Sequence, residues 1–224
     1  MAIEDSPAVP PSGQGMLIIA CGALAHEVTA LRRANAWDDL DVRCLPAELH
    51  NRPEKIPDAV RALIRSSRDR YRSIFVAYGD CGTGGLLDKV LSEEGVERIP
   101  GAHCYEFFAT EPVFAALAEA EPGTFYLTDF LLRHFDRLVI RGLGLDRHPE
   151  LFSVYFGNYR KLVYLAQAPE AHSRDGAREI ALRMGLQFEY RRTGYGTLGT
   201  TLAAAVSRNE TAVSHTEEVV AWHR

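Results

Sequence analysis

The sequence predicts an α/β protein: an open, mostly parallel sheet with helices on both faces. Short apolar runs alternate with stretches of helical periodicity along most of the chain, the signature of βαβ units. The runs are continuously apolar, as strands covered on both faces must be. A third observation concerns symmetry. Met16 to Ala20 ends in Cys21-Gly22 and enters a helix, and Arg72 to Ala77 passes through Tyr78-Gly79-Asp80-Cys81-Gly82 into another. This weak echo suggests two related α/β halves.

Residues 1–15, acidic and rich in Pro and Gly, read as a flexible tail. Residues 16–206 read as a single α/β domain, and 207–224 as a C-terminal tail or short helix. Met16 to Ala20 is the first strand, followed by a helix over Ala23 to Ala34 that carries His26 and Glu27. Asp41 to Leu45 is the second strand, with Cys44 as a buried residue. Pro53 disfavours helix at Arg52 and can itself begin one, so His50 and Asn51 fall in a loop before a helix that runs to about Arg68. The central strand Arg72 to Ala77 leads through the glycine-rich loop to a helix from Leu86. A short strand over Val96 to Ile99 precedes a loop holding His103 and Cys104, then a helix over Glu111 to Ala120.

The second part of the chain continues the alternation. Thr124 to Leu127 is a strand, and Thr128-Asp129 is an N-cap pair for a helix over Phe130 to Phe135. Arg137 to Leu145 has no clear pattern. The aromatic stretch Phe152 to Tyr159 contains the turn signal Gly157-Asn158, and its Tyr155, Phe156 and Tyr159 suit either core packing or the floor of a pocket for a flat or cationic ligand. Lys161 to Ala166 is the clearest late strand. A helix from Ala171 to Met184 stops at Gly185, and Leu186 to Arg191 is the last strand. Thr193 to Thr201 is a second glycine-rich loop.

Composition narrows the function classes. Of 224 residues 46% are hydrophobic, enough for a sizeable core, and the net charge of -5 offers no nucleic-acid footprint. No apolar run approaches the roughly 20 residues that span a bilayer, and the N-terminus is unlike a signal peptide. A cytoplasmic protein is expected, with a homodimer left open. In a reducing compartment the four cysteines point away from disulfides and towards metal binding or catalysis.

The chemistry is expected where a strand meets Tyr78 to Gly85. Glycines bring backbone close to a ligand, and the following helix start favours an anion or a thiolate. The loop is neither a Walker A sequence nor a dinucleotide fingerprint, although Tyr78, Gly79, Gly82 and Gly84 suit a phosphate nest. Cys81, His103 and Cys104 supply a zinc-like S, N, S donor set, which Cys21 or His50 would complete. Each has a plainer reading, as a core cysteine, a hydrogen-bonded histidine or a helix cap.

The ordered set CGAL, LPAELHNRPE, YGDCG, HCYEFF and LTDFL resembles the DUF1638 family over about residues 16 to 190. The family's motifs fall on Cys21, His50, Asn51, Tyr78, Gly79, Cys81, Gly82, His103 and Cys104. The resemblance implies a setting beside corrinoid-dependent methyltransferases that demethylate methylamines and betaines. It leads to a zinc-binding protein of one-carbon metabolism, a methyltransferase or its accessory, with Cys81 and His50 as catalytic groups. Its partner would be a small-molecule methyl donor or a corrinoid protein. Two alternatives stand beside it: a metal-free racemase- or isomerase-like enzyme with Cys21 and Cys81 at corresponding strand ends of two α/β halves, and a non-catalytic binding or chaperone protein that holds a corrinoid or its partner.

Overall fold

The structure is a computed structural model that describes residues 15–221. The expected tail at 1–15 lies outside these residues, Gly15 apart. The strands are β1 (Met16–Cys21), β2 (Leu40–Leu45), β3 (Ser73–Ala77), β4 (Glu97–Arg98), β5 (Thr124–Thr128), β6 (Lys161–Ala166) and β7 (Gln187–Arg192). The helices are α1 (Ala25–Ala34), α2 (Ile56–Ser67), α3 (Leu86–Glu94), α4 (Cys104–Ala109), α5 (Glu111–Ala120), α6 (Asp129–Arg133), α7 (Phe152–Phe156), α8 (Ser173–Met184) and α9 (Leu198–Ala221). A π-helical segment, Asp136–Arg141, follows α6.

The protein is α/β and every strand pairing is parallel, but the strands form two sheets, ordered β2-β1-β3-β4 and β5-β6-β7. In the first sheet the chain steps from β1 to β2 in one direction and from β2 over β1 to β3 in the other. Right-handed crossovers then put α1 on one face and α2 and α3 on the other. The strand order reverses between β1 and β3, so a crevice opens between their carboxyl ends. β1 is buried along its whole length, as its unbroken apolar run predicts.

In the second sheet the side chains of β6 divide by pleat. Leu162, Tyr164 and Ala166 pack with Ala177, Ile180 and Ala181 of α8, whereas Val163 and Leu165 pack under Ala109, Phe114 and Leu117 of α4 and α5. The last helix returns to the first half: Leu198, Leu202, Ala205 and Val206 join the core built on β1 and β3. The Ser73 hydroxyl donates to Asn209 at 2.6 Å, and Arg208 pairs with Glu97 at 2.9 Å. This helix begins inside the expected glycine loop and runs through the segment read as a tail or short helix.

Two local expectations are corrected. His103 and Cys104 are not loop neighbours: Cys104 opens α4 and His103 stands at its N-cap. Cys44 is exposed and not buried: it lies near the carboxyl end of β2, an edge strand with a neighbour on one side only. No helix among the described residues is long and apolar enough to cross a membrane.

Candidate functional site

The carboxyl ends of both sheets border one cavity of about 300 Å³. The first half contributes Ala23 after β1, Ala47, His50 and Asn51 after β2, and Cys104 and Tyr105 at the start of α4. From the second half come Phe125 and Thr128 of β5, Phe130 of α6, and Tyr155, Phe156 and Tyr159 around α7. Leu138, Val139 and Leu143 close it from the π-helical segment and the turn beyond. The two sides are tied together across the opening. Asn51 Nδ2 donates to the Leu138 carbonyl at 3.3 Å, and Arg137 pairs with Glu48 at 2.9 Å. Among the described lining residues none is formally charged at neutral pH.

His50 is the best-defined polar group of this wall. Its Nδ1 lies 3.2 Å from the Ala47 carbonyl and 3.6 Å from Cys21 Sγ. A carbonyl only accepts, so the short contact assigns the proton to Nδ1 and leaves Nε2 as a lone-pair acceptor. Burial pulls the His50 pKa below its usual range, and the nearby His103 adds to this, against the Ala47 contact. Neutral imidazole with a held tautomer suits a general base or a ligand acceptor.

Three thiols gather behind it. Cys21 Sγ accepts from the Ala23 amide at 3.3 Å. Burial pushes the Cys21 thiol up to about 12 and that of Cys81 up to about 11, with the Cys104 and Gly79 amides drawing Cys81 part of the way back. Cys104 is also raised far above the normal thiol range, first by burial and then by Cys81 and Cys21. All three are therefore neutral thiols at physiological pH. Tyr78 is buried beside them; among the described residues its hydroxyl makes no hydrogen bond of full geometry, and Cys21 is its strongest electrostatic neighbour.

Cys81 takes a left-handed conformation (φ 51°), which a non-glycine residue adopts only when its surroundings impose it. Its amide donates to the Ala102 carbonyl at 2.8 Å, and the Asp80 amide to Gly101 at 3.0 Å, so the loop is pinned along 101–102. Gly79 lies so close to His103 that an added Cβ would stand 3.1 Å from its backbone. The glycine loop is no open phosphate nest. Asp80 already accepts from the Gly84 and Gly85 amides at 3.0 and 2.9 Å and from the Thr83 hydroxyl at 2.5 Å. Gly82 packs against Pro53.

The expected zinc set is not assembled. Among the described residues no group of three or more His, Cys, Asp or Glu side chains is placed to hold a metal ion. The His103 ring instead sits 6.1 Å from Tyr105 and 6.3 Å from Phe114, at the edge of an aromatic cluster. Cys21 closes β1 and Cys81 follows β3, adjacent strands of one sheet, so the two thiols do not come from two separate halves. Tyr105, Phe125 and Phe130 were missed as site residues; only their places beside Cys104 and Thr128 hinted at them.

A buried acid, Glu27, lies behind the lining residues of the crevice. Glu27 stands one helical turn beyond Ala23, and helical side chains lean towards the N-terminus, here towards that wall. It is 1% exposed, and one carboxyl oxygen has no hydrogen-bond partner among the described residues. Burial raises its pKa, opposed by His26 and Arg133.

Fold and site together define an α/β protein with an uncharged, aromatic-walled crevice at the carboxyl ends of two parallel sheets. The chain belongs to the DUF1638 family, whose model, described as a protein of unknown function, matches residues 44–202. The match includes His50, Cys81 and Cys104 and begins after Cys21. No curated protein and no solved structure matches the chain.

Proposed function

We propose that the protein binds a small methylated ammonium compound in the crevice and serves corrinoid-dependent one-carbon metabolism, as a methyltransferase or as its accessory. The observation that carries the ligand class is the lining: six aromatic rings and no formal charge among the described residues. A methylated ammonium wears its charge under methyl groups, sheds water readily and is attracted to ring faces by about 0.5–2 kcal/mol each. An anion has no Lys or Arg to meet it there. The lining thus favours an ammonium over the carboxylate end of a betaine.

The size of the cavity separates the roles. About 300 Å³ is at the small end of ligand pockets, which run to roughly 1,000 Å³. It suits a molecule of a few heavy atoms and is far too small for a corrin ring, so a corrinoid would be met on a partner protein. The one-carbon setting itself comes from the family resemblance. The scattered donors do not fit a resident zinc, since no three of them are placed around one point among the described residues.

Calorimetric titration with tetramethylammonium, trimethylammonium and glycine betaine tests the reading. The two ammonium ions should bind saturably and more tightly than the betaine, and Tyr155→Ala should weaken them about fivefold. No binding of either ammonium ion, or tighter binding of simple carboxylates, would sink it.

A further inference from the structure

The segment that walls the crevice has a second face. Phe130, Leu131, Leu138 and Val139 turn to the cavity, while Arg133, His134, Arg137 and Arg141 line a separate pocket of about 290 Å³ on the other side. The three arginines recur every fourth residue through α6 and the π-helical segment, a spacing that keeps them on one side. Arg183 of α8 completes the lining from the facing helix. Four guanidiniums meet one carboxylate there, that of Asp136, on a chain whose net charge is -5.

The existing ion pairs leave this charge available. Arg183 meets Asp136 at 3.4 Å, and Arg133 reaches Glu170 at 3.6 Å, both loose contacts between exposed groups. Arg137 is held by Glu48 at 2.9 Å, and Arg141 has no ion pair among the described residues. Burial, then Arg137 and Arg133, hold the His134 pKa down, so a neutral imidazole stands ready as a further donor. π-helical turns, rare in folded proteins, concentrate at functional sites.

We propose that this pocket is a second binding site, for a phosphate-bearing small molecule whose oxyanion is shared among Arg133, Arg137, Arg141 and Arg183. Planar guanidinium forks match phosphate geometry two bonds at a time, and several converging forks favour a dianion over a single carboxylate. The concavity selects a small molecule, because it holds a phosphate and a modest organic group but presents no extended basic track for a polymer. The site does not depend on what the crevice binds. Because the two sites share one segment, an anion bound outside steadies the wall of the cavity inside.

The test is calorimetric titration of the full chain with inorganic phosphate and with pyrophosphate at low ionic strength. Saturable binding that weakens with added salt is expected. Arg137→Gln with Arg141→Gln should weaken it at least about tenfold, with circular dichroism and thermal midpoint unchanged. Asp136→Asn, which removes the competing carboxylate, should tighten it, an effect that damage to the fold would not produce. The proposal is overturned by the absence of saturable binding to either anion, or by equal affinity in wild type and the double variant. Binding of a nucleic-acid polymer through these arginines, with neither small anion bound, would also overturn it.

Discussion

Raising the pH should unfold this protein through its buried thiols, and the size of the effect follows from their surroundings. A free thiol titrates near 9.0; in the fold Cys21 is held at about 12 and Cys81 at about 11. A folded pKa above the unfolded one contributes stability that is fully present below pH 9 and fades as pH climbs through the folded value. For Cys21 the shift corresponds to roughly 4 kcal/mol in all, lost at about 1.4 kcal/mol per pH unit once the unfolded thiol ionises. Cys81 contributes about 3 kcal/mol by the same reasoning, and their mutual repulsion makes the sum smaller than the parts. The assay is urea unfolding from about pH 8 to 11, comparing wild type with Cys21→Ala and with Cys21→Ala, Cys81→Ala; each removal should flatten the alkaline slope. Ultraviolet thiolate absorbance of the native protein should stay low until well past the normal thiol range. Thiolate present near neutral pH, together with about one zinc per chain that a Cys81→Ser, Cys104→Ser variant loses, would refute the account and restore a metal-bound cysteine site.

Three further outcomes are expected. Asp129→Ala should destabilise by about 3 kcal/mol or more in chemical denaturation, because it orphans the buried Tyr164 hydroxyl and the Ala168 amide, each now 2.6 Å from the carboxylate. Gly196→Ala should cost roughly 3 kcal/mol, since φ is +50° and the new methyl would overlap the Phe107 and Phe108 carbonyls; Gly194→Ala, at φ +60° in open space, should cost only about 1. His50 is held below its usual pKa, so its stabilising contribution is complete above about 6.5 and is lost as pH falls; His50→Gln should reduce the drop in thermal midpoint on acidification.

Local signals were legible where one force dominated. The boundaries of α5 and β6 agree to the residue with the reading of Glu111–Ala120 and Lys161–Ala166, because a proline at the second helical position and an unbroken apolar run leave little choice. Thr128 caps α6 as read, accepting from the Leu131 amide at 3.2 Å. What failed was long-range. Alternation announces βαβ units but not where a sheet ends, so the break between β4 and β5 was invisible. Cys44 sits between Arg43 and Leu45 in a strand, and its place on an edge strand, where it is exposed, is not written in those neighbours. The glycines of 193–201 concealed a helix start, because Gly196 serves the close pass over α4 and Gly199 already lies inside α9 against Leu31. The pairing of His50 with Cys21 joins residues 29 apart and needed the β1–β2 register to appear. Phe156 and Tyr159 pack on Phe125 and also line the cavity, whereas Tyr155 lines it from an exposed position beside Phe156.

The return of α9 to the first sheet has a consequence for synthesis. Leu198, Leu202, Ala205 and Val206 cover apolar surface of a sheet whose strands were made more than a hundred residues earlier. Until the first turns of α9 leave the ribosome, the first sheet has an uncovered greasy flank, while the second sheet, β5 to β7, already has all its strands and crossovers. Completion of the first sheet's core therefore waits on α9. A chain that stops near residue 195 would emerge with that flank bare, a substrate for chaperones and proteases, although every strand and every lining residue of both pockets is present.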